Sequence, residues 1–478
     1  MPAEAEIYVN GINAETGEYM LGPMTIEQVM PYITGERRET KVLRWLRKIW
    51  GGFKSFHLGE ERDWTNLAEA GWGVVFREGE SEAIKTALEP LYEHRRAQVG
   101  DDSLVKKMVY IPGESWEAFL GRYGMGPGSK DPKKVPFYLL LVGSPAHIPF
   151  SIGYKLDVEY AVGRLDFERV EDYQAYAASV ISYESAAAVP NSRTAVFFGT
   201  RHQLDPPTEL SAEHMVTPLA DGLPGEPGVA QALGYQSLKL IETGATRHAL
   251  SQVFAPAAGT KPAAFLFTAS HGMVWPLNKP EAQRAAQGAL LCQDWPGFGK
   301  IAPGHYFAAD DLLQMGNAHL AGMITFHFAC YSGGTPLDDR YLHKPRSKPP
   351  QIAPAPFIAA LPKALLAHPN GGALAVIGHV ERAWETSIAT AEAGEQIGPF
   401  RSTIGFILNG KPVGYAVKDL NMRYAAYSVN IADLLERKSF NENIPDEALV
   451  SAWIKRNDAE GYIIIGDPAV RLRVNDLH

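Results

Sequence analysis

The sequence predicts an α/β fold built on a mostly parallel sheet, arranged as two sheet units in series. Three observations carry this expectation. Near-continuous apolar runs such as FYLLLVG and AAFLFTASHG recur along the chain, the pattern of strands buried on both faces. Helical stretches separate most of these runs, the alternation that parallel pairing requires. Hydrophobic residues make up 46% of the 478 and charged residues 21%, which suits a large buried core rather than disorder.

The elements follow in chain order. Residues 1–70 are mixed: IYVNG reads as a short strand, and residues 41–53 (KVLRWLRKIWGGF) as a helix whose apolar stripe packs on the core and whose basic face is solvated. The same stretch also suits a membrane surface or a partner; core packing is the preferred reading. From about residue 71 the α/β pattern sets in. GVVF is a strand, SEAIKTALEPLYEHRRAQ a helix that Pro90 is expected to kink, MVYIP a strand, ESWEAFLGRYG a helix, and FYLLLVG and YAVGRL further strands. The helix VEDYQAYAASVISYES then leads to a second series near residue 191: TAVFFGT, SLKLIE, AAFLFTASHG, GMITFHFAC, GALAVIGHV and YIIIGDP. The expected organisation is an N-terminal extension of regulatory or packing role (1–70), a first α/β subdomain (71–190) and a catalytic subdomain (191–478). Residues 335–356 form a long loop rich in proline and charge, functional or disordered.

Composition narrows the function. A net charge of −9 argues against a general nucleic-acid binder. Two cysteines allow one disulfide at most, no basic-then-apolar leader opens the chain, and no apolar run approaches the ~20 residues that span a bilayer. The expectation is a soluble protein of a reducing cytoplasm, without membrane or nucleic-acid partners. GMGPGSK resembles a phosphate loop but lacks the G-x-x-x-x-G-K-[ST] spacing. There is no H-E-x-x-H and no G-x-S-x-G, and the histidines do not cluster at metal-ligand spacing. No cofactor and no metal are expected.

Two strand ends carry the candidate chemistry. Phe265 runs through FLFTAS to His271 and Gly272, and Ile324 runs through ITFHFA to Cys330 and the glycines of YSGG. Reactive groups collect at the carboxyl ends of strands in open parallel sheets, so neighbouring strands would bring His271 and Cys330 to one edge. Their separation of 59 residues leaves room for a crossover helix. A thiol needs a nearby base to ionise near neutral pH, the imidazole can then protonate a leaving amine, and an oxyanion needs backbone N–H donors. Gly272, lacking a Cβ, is the natural donor, with the Cys330 N–H as second candidate. Cys292 has no glycine turn and reads as structural; His327, inside its strand, reads as packing.

These residues resemble those of clan CD cysteine peptidases, the caspases, legumains, gingipains and their relatives, and among these the gingipain-like family. TASHG is similar to its histidine motif and FACYSGG to its nucleophile motif; YLLLVGSPAHIP, YAVGRL, GGALAVIGHVERAW and YIIIGDPAVRLR resemble further strands, from about residue 71 to 475. The resemblance implies a caspase-like three-layer α/β/α fold, an endopeptidase with a His271–Cys330 dyad, a protein or peptide substrate, and strict selection of the P1 side chain. It implies an S1 aromatic residue at Trp384. It also implies an acidic residue in the loop GTRHQLDPPTELSAEHMV that selects Arg or Lys through a charge-assisted hydrogen bond. The preferred register gives Glu209, with Asp205 as rival; alternatively Thr208, Glu209 and Ser211 simply start a helix. The chain departs from the family in three ways. Its best-known members carry export signals. The acid that orients the histidine is not evident, Arg201 standing near where it should be. The segment after Cys330 is long and holds Arg340, Lys344, Arg346 and Lys348, a self-cleavage site, a lid or an idle insertion. A zymogen held by residues 1–70 or by the 335–356 loop, released by a partner or a cut, follows as an expectation. So does, by analogy alone, a role in bacterial defence or programmed cell death. A caspase-like scaffold without activity is the alternative.

Overall fold

The computed structural model describes residues 7, 11–35, 62–341, 349–383, 388–390, 394–395 and 397–478. The basic stretch 41–53 lies outside the described residues.

One ten-stranded sheet organises the chain. Its strands are β1 (Trp72–Arg77), β2 (Val105–Tyr110), β3 (Tyr138–Val142), β4 (Ala161–Leu165), β5 (Ser192–Gly199), β6 (Gln236–Ile241), β7 (Ala263–Ala269), β8 (Ile324–Phe328), β9 (Ala375–His379) and β10 (Tyr462–Gly466). In space they run β2-β1-β3-β4-β10-β9-β8-β7-β5-β6. Every neighbouring pair is parallel except β9 with β10, so the sheet is two parallel halves joined at one antiparallel seam. The two series read from the sequence correspond to these halves except for one strand. The closing strand β10, read with the second series, completes the first half by pairing with β4, while its other edge meets β9.

Side-chain alternation along a strand sends neighbours to opposite faces. Val74, Phe76 and Leu140 pack under the helices Glu82–Val99 and Val170–Ser185. Val75, Leu139 and Leu141 pack on the other face with the helices Trp116–Arg122 and Phe150–Asp157. This gives three layers, α/β/α. Ser81 caps the helix Glu82–Val99 and Gly100, left-handed, ends it. The helix runs on through Pro90, which sits on its solvent side together with Thr86, so the carbonyl that loses its donor faces water.

The N-terminal residues pack onto the body. Val29 and Ile33 of the helix Ile26–Gly35 join Leu449, Val450 and Trp453 of the helix Asp446–Glu460 in a separate core cluster. Arg95 of the first half clamps two acids, Glu184 at 2.6 Å and Asp467, just past β10, at 2.7 Å; Trp72 donates to the same Asp467. Among the described residues no helix is long and apolar enough to cross a membrane.

Candidate active site

Each half of the sheet has the same internal order, second strand, first, third, fourth, fifth. In such a sheet the crevice lies where the order reverses, beyond the carboxyl ends of the first and third strands. For the second half these are β5 and β7. The loop after β5 carries Asp205, and β7 leads to His271.

β7 and β8 are neighbours in register, with Ile324 opposite Phe265 and Phe328 opposite Ala269. His271 and Cys330 therefore each stand two residues beyond the last pair, on the same edge. The Ser270 N–H donates to the Phe328 carbonyl at 3.2 Å and carries the pairing past the strand ends. Gly272 follows against the backbone of Cys330: a Cβ there would lie 2.0 Å from the Cys330 carbonyl oxygen and 2.6 Å from its Cβ. Only glycine fits. Its N–H points to the Cys330 sulfur, as does the Ala383 N–H at 3.3 Å.

The Cys330 thiol is 1% exposed. Burial pushes it up to about 12, against the pull of the Ala383 N–H, the Arg382 charge and the Gly272 N–H. The turn around it is strained. Tyr331 sits at φ 62° and Glu381 at φ 71°, a region that costs a non-glycine residue of order 1–3 kcal/mol. The Tyr331 N–H, donating to the Glu381 carbonyl at 2.8 Å, ties the two together. Gly333 and Gly378 let the turn lie on β9: a Cβ on Gly378 would come 2.7 Å from the Gly333 nitrogen.

Asp205 supplies the acid. His271 Nε2 lies 2.7 Å from Asp205 Oδ2, which also accepts from the Thr208 hydroxyl at 2.5 Å, and Tyr19 donates its hydroxyl to Oδ1. Burial raises the Asp205 carboxyl, but the His271 charge and the hydrogen bonds from His271, Thr208 and Tyr19 outweigh it and hold the group well below the usual carboxylate range. Asp205 precedes the helix Pro206–Ser211 at its N-cap yet makes no side-chain cap bond; its carboxylate is turned to the imidazole instead. His202, beside it, is pushed down to about 4 by burial and by the His271 charge, so it stays neutral.

The residues expected from the sequence fall as follows. His271, Gly272 and Cys330 come together. Asp205, weighed as a P1 carboxylate, is hydrogen-bonded to His271, a contact the sequence did not show. Arg201, near that place, turns away to Glu213 at 2.8 Å and Glu242 at 3.6 Å. Glu209 lies half-buried in the first turn of Pro206–Ser211, so the segment does start a helix. Trp384 lies outside the described residues. His327 is buried in β8 with Nδ1 2.9 Å from the Thr268 hydroxyl, and Cys292 is buried with its thiol pushed well up by burial. Tyr19 and the Ala383 N–H were not anticipated. Neither has a local sequence signal, since Tyr19 meets Asp205 across 186 positions and Ala383 meets Cys330 across 53. Among the described residues no group of three His, Cys, Asp or Glu side chains is placed to hold a metal ion.

A thiol, an imidazole and a carboxylate set at the carboxyl edge of a parallel α/β/α sheet are the parts of a cysteine peptidase. The chain belongs to peptidase family C25, the gingipain family of clan CD cysteine endopeptidases, whose model matches residues 80–473. Two solved structures are similar. One is described as "Structure of Protease", with 13% identity, a TM-score of 0.46, and coverage of 88% of this chain and 81% of that one. The other is the complex of Porphyromonas gingivalis RgpB pro- and mature domains, with 14% identity, a TM-score of 0.42, and coverage of 84% and 80%. No curated protein matches the sequence.

Proposed function

We propose that this endopeptidase cleaves proteins after Arg or Lys, with Cys330 as nucleophile, His271 as proton carrier and Asp205 as the acid that orients it. The observation that supports this best is the equal overhang of β7 and β8, which brings His271 and Cys330 to one edge of the sheet with Gly272 against Cys330. With Nε2 engaged by Asp205, Nδ1 of His271 remains to take the thiol proton. The thiolate attacks the scissile carbonyl, and the Gly272 N–H is the donor that holds the oxyanion in this reading. The imidazolium then protonates the leaving amine, and water hydrolyses the thioester. With Asp205 committed to His271, Glu209 is the carboxylate of the original pair left to meet a basic P1 side chain.

A panel of fluorogenic peptides varied at P1 tests this. Wild type should cleave after Arg and Lys at a basal rate that rises when residues 381–383 are released, Cys330→Ala should cleave nothing, and Glu209→Gln should lose about tenfold on basic P1 alone, the worth of one charge-assisted hydrogen bond. Cleavage that survives in Cys330→Ala refutes the nucleophile; an unchanged P1 preference in Glu209→Gln refutes that residue's role.

A restrained resting state is part of the same proposal. The thiol is covered and neutral, and the segment that covers it is held from the 335–356 loop. Arg382 is paired bidentately with Asp339 at 2.5 Å, both fully buried, and Arg340 reaches Glu381 at 2.8 Å and Glu460 at 2.7 Å. These contacts fix residues 381–383 over the sulfur. A protein partner or a cut that withdraws the loop would release Ala383. Two free buried cysteines suit a reducing cytoplasm. A panel in which neither wild type nor a form with this clamp opened cleaves any peptide would favour the scaffold reading.

A further inference from the structure

Resting on the peptidase reading, we propose that Tyr19 is a positioning residue of the active site, and that the N-terminal hairpin which carries it is a working part of the catalytic centre.

The hairpin is built into the site at three points. The strand Ile12–Asn13 pairs in parallel with Met273–Val274, directly after Gly272. The Ile12 N–H donates to the Gly272 carbonyl at 3.0 Å and the Ala14 N–H to the Val274 carbonyl at 3.0 Å, so the hairpin fixes the backbone of the expected oxyanion residue. The return limb brings Tyr19 opposite Ile12, closed by Met20 N–H to the Gly11 carbonyl at 2.9 Å. There the Tyr19 hydroxyl donates to Asp205 Oδ1, and its ring meets the His271 ring edge-on, centroids 5.6 Å apart at 86°. One side chain thus holds both members of the Asp205–His271 pair. Thr208 and His271 occupy Oδ2; Tyr19 takes the other oxygen and so fixes the rotation of the carboxylate.

The packing is that of a permanent element. Ile12 is 1% and Ala14 2% exposed, in a core cluster with Met273, Leu291 and Trp295. The Ile301 N–H donates to the Ala14 carbonyl at 3.1 Å, and Lys279 pairs with Glu15. A removable inhibitory strap would be expected to lie on the surface of a finished core. This one supplies part of the core and an orienting hydroxyl to the acid.

The test is a double-mutant cycle of Tyr19→Phe with Asp205→Ala. Two readouts are taken: peptide cleavage, and the rate at which iodoacetamide alkylates Cys330 in a Cys292→Ala background. Tyr19→Phe keeps the ring and removes only the hydroxyl. We expect kcat to fall about tenfold with KM unchanged, the loss of one hydrogen bond to a charged group. We expect the alkylation rate to fall in parallel, and neither to fall further when Asp205 is already alanine. An equal loss in both backgrounds would make Tyr19 a packing residue only. A gain of activity or of alkylation on Tyr19→Phe would make the hairpin a cover, and either result overturns the proposal. Coupling seen in alkylation without any peptide cleavage, even when the 381–383 clamp is opened by Arg340→Ala, would leave Tyr19 in place and overturn the peptidase reading instead. Thermal unfolding of each variant identifies any that fails to fold, and Tyr19→Leu then repeats the cycle.

Discussion

Asp205 gives up a capping bond to its own helix to serve His271, and the exchange has measurable consequences. Asp205→Asn keeps the shape but replaces one acceptor oxygen with a donor and removes the charge that favours an imidazolium. Loss of the orienting acid costs comparable hydrolases several powers of ten in kcat, and a fall of at least about a hundredfold is expected here, with the P1 preference retained. The stability profile should change as well. The folded carboxyl lies well below its unfolded value of about 3.9. It therefore contributes stability above that value, which is lost as pH falls toward the folded pKa. The melting temperature of wild type should drop more steeply below about pH 4 than that of Asp205→Asn; parallel curves would contradict the assignment. At this scale the sequence was readable where chemistry and local pattern coincide. His271, Gly272 and Cys330 each close an apolar run at a glycine turn. Asp205 was visible as a P1 candidate but not in its contact with His271, because that contact depends on β5 and β7 lying side by side in the sheet. Tyr19 was not visible, because nothing local distinguishes a tyrosine that meets its partner through tertiary packing.

Among the elements, residues 381–383 lie over the thiol, and the proposed restraint rests on the contacts that hold them there. Its inner pair, Asp339 with Arg382, is fully buried, and removing one partner from such a pair typically costs about 3–5 kcal/mol of stability. The outer contact, Arg340 with Glu381, is the one to cut, since the Arg340 side chain is partly exposed. Arg340→Ala leaves the buried Glu381 carboxylate without its cation, so it should lower the melting temperature and raise the alkylation rate of Cys330 several-fold in the folded protein; a rate equal to wild type would mean that the loop does not govern access. The strands and most helices were readable from apolar runs and turn residues. Their order in space was not. That both halves repeat one strand order, and that β10 leaves its own series to complete the other half, depends on pairings between β4 and β10 some 300 positions apart. No local pattern encodes such pairings.

Across the whole molecule, the site is assembled from segments that span most of the chain. The hairpin brings Tyr19, the loop after β5 brings Asp205, β7 and β8 bring His271 and Cys330, and the turn after β9 brings Ala383. The Arg95 network ties β10, and with it the seam beside β9, to the first half. Stability of the halves and geometry of the site are therefore linked. The most direct measurement is intact-mass analysis after treatment with a peptidyl ketone electrophile bearing Arg at P1, applied to wild type, Arg340→Ala and His271→Ala. A single adduct on Cys330 is expected, formed faster in Arg340→Ala than in wild type and lost in His271→Ala. An adduct on Cys292, or one that forms on Cys330 at the same rate without His271, would contradict it.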